Sequence, residues 1–565
     1  MPKRYADLLR EKFPLVAPKE FTRLAKKYGT HTIGLVEAVI MEGLIGHEPA
    51  CRLWSECIGV AYIDPFNTLV TPAAVALLPG AIARKAQALP LYIVDGVLTV
   101  AMPDPLDDAL RRRLEGITGV RISPVFSLPA EIHDAIEIHY SSDKDIEAVI
   151  KELESAGEVL TLQLTPTELE RLSESKSLIR IVDSLVFFGL REGASDIHIE
   201  PQEDDTRVRF RIDGRLREML RFPKILHRPI CCRLKVMCDV NIAESRFPQD
   251  GRFSLQLGTR KNDFRVSFIP TVEGEKVVVR ALASTTKKDF LTLDRMLISQ
   301  TLLTPLRRVI QAPNGIVFVT GPTGSGKTTT LYSALAEINS PDINVSTIED
   351  PVEIKVPGLT QSQVNAHIDL KFPLLLRALL RQDPDVILVG EIRDSETAKI
   401  ATEAALTGHL VFATMHTNNA IQAVTRLVEI GVEPHVVAPS VLAVISQRLA
   451  ARICERCKES YLPTPETLAK YFYDAEGLKA LFYQGKGCEV CRRTGYKGRI
   501  GFHELAVVTE EMRGIISRGG DLGELTVAAR RAGYKPLRHD GLKKVLLGLT
   551  TIEEVESHTP FDWAI

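Results

Sequence analysis

Three short runs in the second half of the chain are apolar almost throughout: Gly315-Ile316-Val317-Phe318-Val319-Thr320, Val386-Ile387-Leu388-Val389 and Leu410-Val411-Phe412-Ala413-Thr414. Runs this short and this apolar predict buried strands. Ile343–Ile348 is strand-like as well. Upstream the pattern changes. Arg207–Ile212 and Phe264–Phe268 alternate with period two, the signature of a strand. Helical spacing appears at 34–45, 73–88, Ser177–Arg191 and Thr329–Leu335, and two further strands are expected at Leu91–Val94 and Leu98–Val100. Residues 141–176 are charged and poor in aromatics, which suits a solvated helix–linker segment. The expected organisation is an α/β domain at 1–140, a linker at 141–176, a second domain at 177–290 and a third at 291–565. A length of 565 residues agrees with about three or four domains.

Charge and composition narrow the class. With 70 basic and 72 acidic residues the net charge is −2, without the basic excess usual in a duplex nucleic-acid binder. The opening Met-Pro-Lys-Arg-Tyr-Ala-Asp lacks the apolar stretch of a signal peptide, and no run of about eighteen apolar residues occurs. A cytoplasmic protein is therefore expected. Five of the nine cysteines (Cys51, Cys57, Cys231, Cys232 and Cys238) show no ligand-like spacing and are expected as small buried residues.

The first apolar run leads into Gly321-Pro322-Thr323-Gly324-Ser325-Gly326-Lys327-Thr328, which fits G-x-x-x-x-G-K-[ST], and then into the helical stretch that starts at Thr329. Glycines let backbone N–H groups close around phosphate oxygens, and the helix N-terminus adds positive potential. Lys327 is expected to reach the β- and γ-phosphates, and Thr328 to hold Mg²⁺. Hydrolysis also needs acids, and ligand chemistry in open α/β sheets gathers at the carboxyl ends of strands. Glu349-Asp350-Pro351-Val352-Glu353 follows one strand, Gly390-Glu391 a second, and His409 and His416 flank a third. One carboxylate should bind Mg²⁺, directly or through water, and another should deprotonate the attacking water. Spacing alone leaves open which of Glu349 and Glu391 does which.

These boxes resemble the hexameric ATPases of type II secretion and type IV pilus assembly. Glu349–Glu353 looks like their aspartate box, Arg381–Asp394 like their Walker B region, and Thr407-Gly408-His409 through Met415-His416-Thr417-Asn418 like their histidine box. The resemblance implies Glu349 as general base, Glu391 acting through Mg²⁺ and its waters, and His416 at the γ-phosphate. Ser195–Pro201, Arg211–Gly214, and Arg265 through Gly274-Glu275-Lys276 to Arg280 match the family's second domain, where arginines corresponding to Arg265 and Arg280 approach the γ-phosphate. Arg381 and Arg393 are left to structural or inter-subunit roles. The implied fold is α/β and multidomain: a RecA-like P-loop ATPase core, preceded by a PAS-like α/β domain and an N-terminal α/β docking domain. The implied machine is a homohexamer peripheral to the inner membrane. It would use ATP to move an inner-membrane platform protein that polymerises pilin or pseudopilin subunits, and would dock on a membrane-anchored protein through residues 1–140. The alternative is a nucleic-acid translocase or DNA-uptake motor with the same core. There are departures. Leu293-Asp294-Arg295-Met296-Leu297 lacks the glycine of the family's Leu-Gly step, and Lys26-Lys27-Tyr28-Gly29 through Leu44 fits the cyclic di-GMP motifs of some relatives poorly, so that ligand is not expected.

Cys454-x-x-Cys457 and Cys488-x-x-Cys491 can each place two thiolates on one metal, and four thiolates suit a closed structural Zn²⁺ site. With Gly487, Gly495 and the following Tyr496–Arg499, the quartet is similar to the zinc-binding segment, about 452–504 here, of the secretion and pilus-extension ATPases. That resemblance favours assembly over retraction.

Overall fold

A computed structural model of the chain describes residues 5–13, 18–30, 32–140, 146, 171–257, 260–282, 292–365, 368–472 and 480–560. Most of the expected 141–176 linker lies outside them. Two compact units emerge, Met1–Ser284 and Thr285–Ile565.

In the first unit the helices Tyr5–Lys12, Pro18–Tyr28, Ile33–Met41 and His47–Ile58 gather around a core that includes Tyr5, Leu35, Trp54 and Phe126. Next come three strands, β1 (Leu89–Val94), β2 (Val97–Met102) and β3 (Arg121–Phe126). β1 and β2 form a hairpin through Asp95-Gly96, both at positive φ, while β2 and β3 run parallel across the helix Asp108–Thr118. The single helical stretch expected at 73–88 is broken into Pro72–Val75 and Gly80–Ala86. Pro79 explains the break: it has no N–H to continue the ladder and disfavours helical backbone just before it.

The unit continues with six antiparallel strands: β4 (Ala194–Pro201), β5 (Asp205–Ile212), β6 (Arg215–Pro223), β7 (Gln249–Leu257), β8 (Arg260–Thr271) and β9 (Gly274–Ala281). Their spatial order is β6-β5-β4-β9-β8-β7. Period-two alternation does what it predicts: Val208, Phe210 and Ile212 enter the core with the helix Lys176–Arg191, while Arg207, Arg209 and Arg211 take the other face. Gly189 lets that helix approach, since a Cβ there would lie 2.5 Å from Cδ1 of Ile197. The five unpatterned cysteines are all buried.

The second unit is built on a seven-stranded sheet. Its strands are β10 (Gly315–Thr320), β11 (Val345–Glu349), β12 (Thr360–Gln363), β13 (Val386–Val389), β14 (Leu410–Met415), β15 (Val441–Ile453) and, after the separate antiparallel pair β16 (Lys458–Tyr461) and β17 (Phe482–Gly485), β18 (Tyr496–Val507). The order is β12-β11-β13-β14-β10-β15-β18. All pairs are parallel except β15 with β18. Every residue of β10, β13 and β14 is buried, as expected for strands covered on both faces by helices. Among the described residues no helix is long and apolar enough to cross a membrane.

Candidate active site and metal centre

β10 ends at Thr320 and the helix Lys327–Ile338 begins seven residues later. Between them Gly321, Gly324 and Gly326 hold φ of 145°, 79° and 89°, which glycine adopts without strain. A Cβ on Gly321 would sit 2.5 Å from the carbonyl oxygen of Gln447. Lys327 Nζ folds back over the loop and donates to the carbonyls of Gly321 (2.8 Å) and Pro322 (3.1 Å). Burial lowers its ammonium pKa; the charge of Glu391 opposes this and Arg448 adds to it. Thr328 and Thr329 stand exposed on the first helical turn. Ser325 Oγ is buried without a hydrogen-bond partner, an orphaned donor that a loop ligand could satisfy. The loop thus fits a phosphate group.

The acids lie at adjacent strand ends. Ile348 on β11 pairs with Val389 on β13, which brings Glu349 level with Gly390. A Cβ on Gly390 would meet the Ile348 carbonyl at 3.0 Å and Glu349 Cα at 3.1 Å, so a side chain there would push the two ends apart by a few tenths of an ångström. The Glu349 carboxylate is 5 % exposed. It accepts hydrogen bonds from Thr347 Oγ1 (2.7 Å), Gln361 Nε2 (3.2 Å) and the Tyr332 hydroxyl. Burial, then the neighbouring carboxylate, pushes the Tyr332 phenol up. Glu391 makes different contacts: His416 Nε2 lies 3.0 Å from Oε1 and Arg393 Nη2 lies 2.5 Å from Oε2. Two of the expected site residues, Glu391 and His416, are therefore in direct contact. His409 is not with them. It precedes β14, its carbonyl accepts from Gly315 N (3.1 Å) at the start of β10, and its ring faces the Ala404 carbonyl (3.0 Å), at the opposite end of the sheet from the loop. Arg381 is exposed and bonds the Arg377 carbonyl (2.9 Å).

Two polar residues on β15 and β18 join this site without any motif to announce them. Arg448 donates to the carbonyls of Gln447 (3.1 Å) and Asn418 (3.2 Å), the latter two residues past His416. Glu504 accepts from the backbone N–H of Ala420 (2.6 Å) and of Leu537 (2.8 Å). The one available signal was the presence of polar residues within long apolar strands, which is a weak one.

In the first unit, Arg265 and Arg280 are direct cross-strand neighbours on β8 and β9. Arg252 on β7 opposes Arg265, and Asp196 on β4 opposes Arg280. Arg280 Nε bonds Asp196 Oδ1 at 2.7 Å, and Arg211 lies 3.7 Å from the same carboxylate. Further along this face Glu200 is gripped by Arg207, Arg209 and Lys276. Burial raises its pKa, but these cations outweigh it and hold it at about 2. A cationic sheet face is thus concealed within a chain of near-zero net charge.

Cys454, Cys457, Cys488 and Cys491 bring their sulfur atoms within 4.8 Å of one another. The Cys454–Cys488, Cys457–Cys491 and Cys488–Cys491 separations are 3.9, 3.7 and 3.7 Å. Tetrahedral ligands at a Zn–S length of about 2.3 Å lie ~3.8 Å apart, so the cluster fits zinc. Backbone N–H groups of Gly487 and Gly495 point at Cys457 and Cys491 sulfur at 3.3 Å each, the outer-shell support that a thiolate site needs.

The chain is similar to known proteins. The family model described as Type II/IV secretion system protein matches residues 171–557, and that of the MshEN domain matches residues 58–146. The chain is 42 % identical over 536 residues to the type IV pilus assembly ATPase PilB of Thermus thermophilus, covering 93 % of this chain and 59 % of that protein, less than two thirds of its length. It is 46 % identical over 389 residues to the type II secretion system protein HxcR of Pseudomonas aeruginosa, covering 69 % and 79 %. It is 37 % identical over 565 residues to the PilB ATPase of Myxococcus xanthus, covering 98 % of each. Matched by the secretion family model over residues 171–557 and by these relatives at 37–46 % identity, the chain belongs to the type II/IV secretion family of ATPases.

Proposed function

We propose that this chain hydrolyses ATP to drive assembly of pilin or pseudopilin filaments. It would act as a homohexameric, cytoplasmic enzyme, held peripherally at the inner membrane through a platform protein and a docking protein bound by its N-terminal residues. The observation that carries the reading is the gathering of the 321–328 loop, Glu349, Glu391 and His416 at the carboxyl ends of neighbouring strands. The names of the relatives support the filament, and the zinc-like cysteine cluster supports assembly over retraction.

In this reading the backbone N–H groups from Gly321 to Thr329 and the Lys327 ammonium hold the phosphates. Phosphate oxygens would take the place of the Gly321 and Pro322 carbonyls on Nζ. Thr328 and, directly or through water, Glu391 would hold Mg²⁺, which would supply neutralisation of phosphate charge. Glu349 is oriented by Thr347, Gln361 and Tyr332 to take a proton from water. His416 is held against Glu391 and is assigned to the γ-phosphate. Arg265 and Arg280 are assigned to stabilising charge on the transferred group. Glu349→Gln tests the base. ATP binding should persist while turnover falls by about 10²–10⁴-fold. Turnover above about a tenth of the wild-type rate would remove Glu349 from that role.

A further inference from the structure

We propose that Gln447 is a positioning residue that holds the phosphate loop in its binding curvature before nucleotide arrives. The inference rests on the reading of 321–328 as a nucleotide loop. β15 runs parallel beside β10, with Ser446 paired to Thr320, so Gln447 stands level with the first residue of the loop. Its side chain is 1 % exposed. Nε2 donates to the Ser325 carbonyl at 2.7 Å, and Oε1 accepts from Thr330 Oγ1 at 2.7 Å. One amide therefore bridges the residue before Gly326 and the first turn of the helix after it. Gly326, at φ 89°, is the point where the loop changes direction, and a Cβ there would lie 3.1 Å from Nε2. At the other end of the loop the Gln447 backbone carbonyl lies where a Gly321 side chain would have to be. Gln447 thus touches the loop at both ends, and the N–H groups expected to meet phosphate lie between its contacts.

The chemistry requires an amide. The Ser325 carbonyl takes a donor, and the Thr330 hydroxyl finds its short acceptor here, the Gly326 carbonyl lying farther off at 3.4 Å; glutamine supplies donor and acceptor at once without titrating, which a carboxyl of the same length does only when protonated. A carboxylate keeps the acceptor and turns a lone pair on the Ser325 carbonyl. A thioether fills the space and bonds neither. Without the bridge, the loop must be ordered by the nucleotide itself, and that ordering is subtracted from affinity. The groups assigned to the chemical step, Glu349 and Glu391, are held by other partners. The effect should therefore fall on binding rather than on the rate of the bound complex.

The test uses the full chain with Gln447→Met, Gln447→Glu and Thr330→Val, and with Lys327→Ala as the loop control. Equilibrium binding of Mg–ADP, the KM for ATP, kcat and thermal stability are measured for each. The Met and Glu variants should weaken ADP binding and raise KM by about tenfold or more, with kcat changed less than about threefold. Thr330→Val, which removes one end of the bridge, should weaken binding by a smaller factor. ADP affinity within about twofold of wild type in a folded Gln447 variant, even with lowered thermal stability, overturns the proposal and leaves Gln447 a packing residue. A fall in kcat with unchanged affinity overturns it equally. If neither Gln447 variant folds, Thr330→Val decides by the same criterion. Wild-type protein that binds no ADP, or a Lys327→Ala variant that binds it as well as wild type, overturns the nucleotide-loop reading itself, an outcome separate from failure of the Gln447 variants alone.

Discussion

Glu504 shows how much a single buried side chain can tie together. One oxygen caps the start of the helix Ala420–Glu429, just past the His416 segment; the other takes the N–H of Leu537 at the start of a C-terminal helix. Tyr534 adds a third bond and Arg448 a favourable charge. Burial nevertheless dominates and raises the Glu504 pKa to about 6. Its sign is the reverse of a surface ion pair. A carboxyl with a raised folded pKa contributes its extra stability when protonated, below its unfolded value, and loses it as pH climbs through 6. The difference corresponds to about 2 kcal/mol. Between pH 4.5 and 7, unfolding of the Thr285–Ile565 unit should therefore become about 2 kcal/mol easier in the wild type than in Glu504→Gln. Denaturant titrations at the two pH values measure this. Parallel pH slopes would mean that Glu504 does not carry the proton.

At the scale of elements, the turn before the ATPase core gives a sharper case. The short 3₁₀ helix Leu293–Met296 ends on Leu297 at φ 56°. The stretch lacks a glycine, and a leucine holds the left-handed conformation that suits one. Leu297 is 43 % exposed, so more than half of it is buried, worth about 2 kcal/mol at ~25 cal/mol per Å², against a left-handed strain of about 1–2 kcal/mol. Glycine also frees the unfolded chain by about 0.5–1 kcal/mol, so Leu297→Gly should lower stability by about 1 kcal/mol, read as a fall in thermal midpoint. A rise would show that the backbone strain outweighs what the side chain buries. The same scale shows what the sequence made legible. Strands β10, β13 and β14, buried on both faces, announce themselves as apolar runs, and β5 by its period of two. The loop, Glu349, Glu391 and His416 were legible because strand ends are where such chemistry collects. His409 flanks the same strand as His416 but lies at the far end from the loop, and apolarity does not reveal which end of a strand faces the site. Gln447, Arg448 and Glu504 were not legible. Each is a polar residue in a long strand with a partner 30 to 122 residues away, so only tertiary contact gives it a role.

At the scale of the whole molecule, the cysteine cluster and the nucleotide loop share two strands. β15 carries Gln447 and Arg448 at its middle and runs into Cys454; β18 begins just after Cys491 and carries Glu504. The β16–β17 pair and the two cysteine knuckles lie between them, and the backbones there cross so closely that a Cβ on Gly485 would stand 2.0 Å from the Gly495 carbonyl. This region also packs on the C-terminal helices, where Phe482, Ile500 and Phe502 meet Leu537, Val545 and Val555. Four thiols drawn this close ionise together only when a cation binds them, so metal binding is coupled to the fold of this region and should stabilise it by several kcal/mol. Protein purified without chelator should hold about one zinc per chain. Removing the metal, or substituting Cys491→Ser, should open residues 454–496 to limited proteolysis and lower the thermal midpoint of the second unit. The first unit should unfold as before. If metal-free protein resists protease at these residues as well as the metal-loaded form does, the quartet is packing without a structural metal, and the β15–β18 pair is held by its ladder and the Phe482–Phe502 core alone.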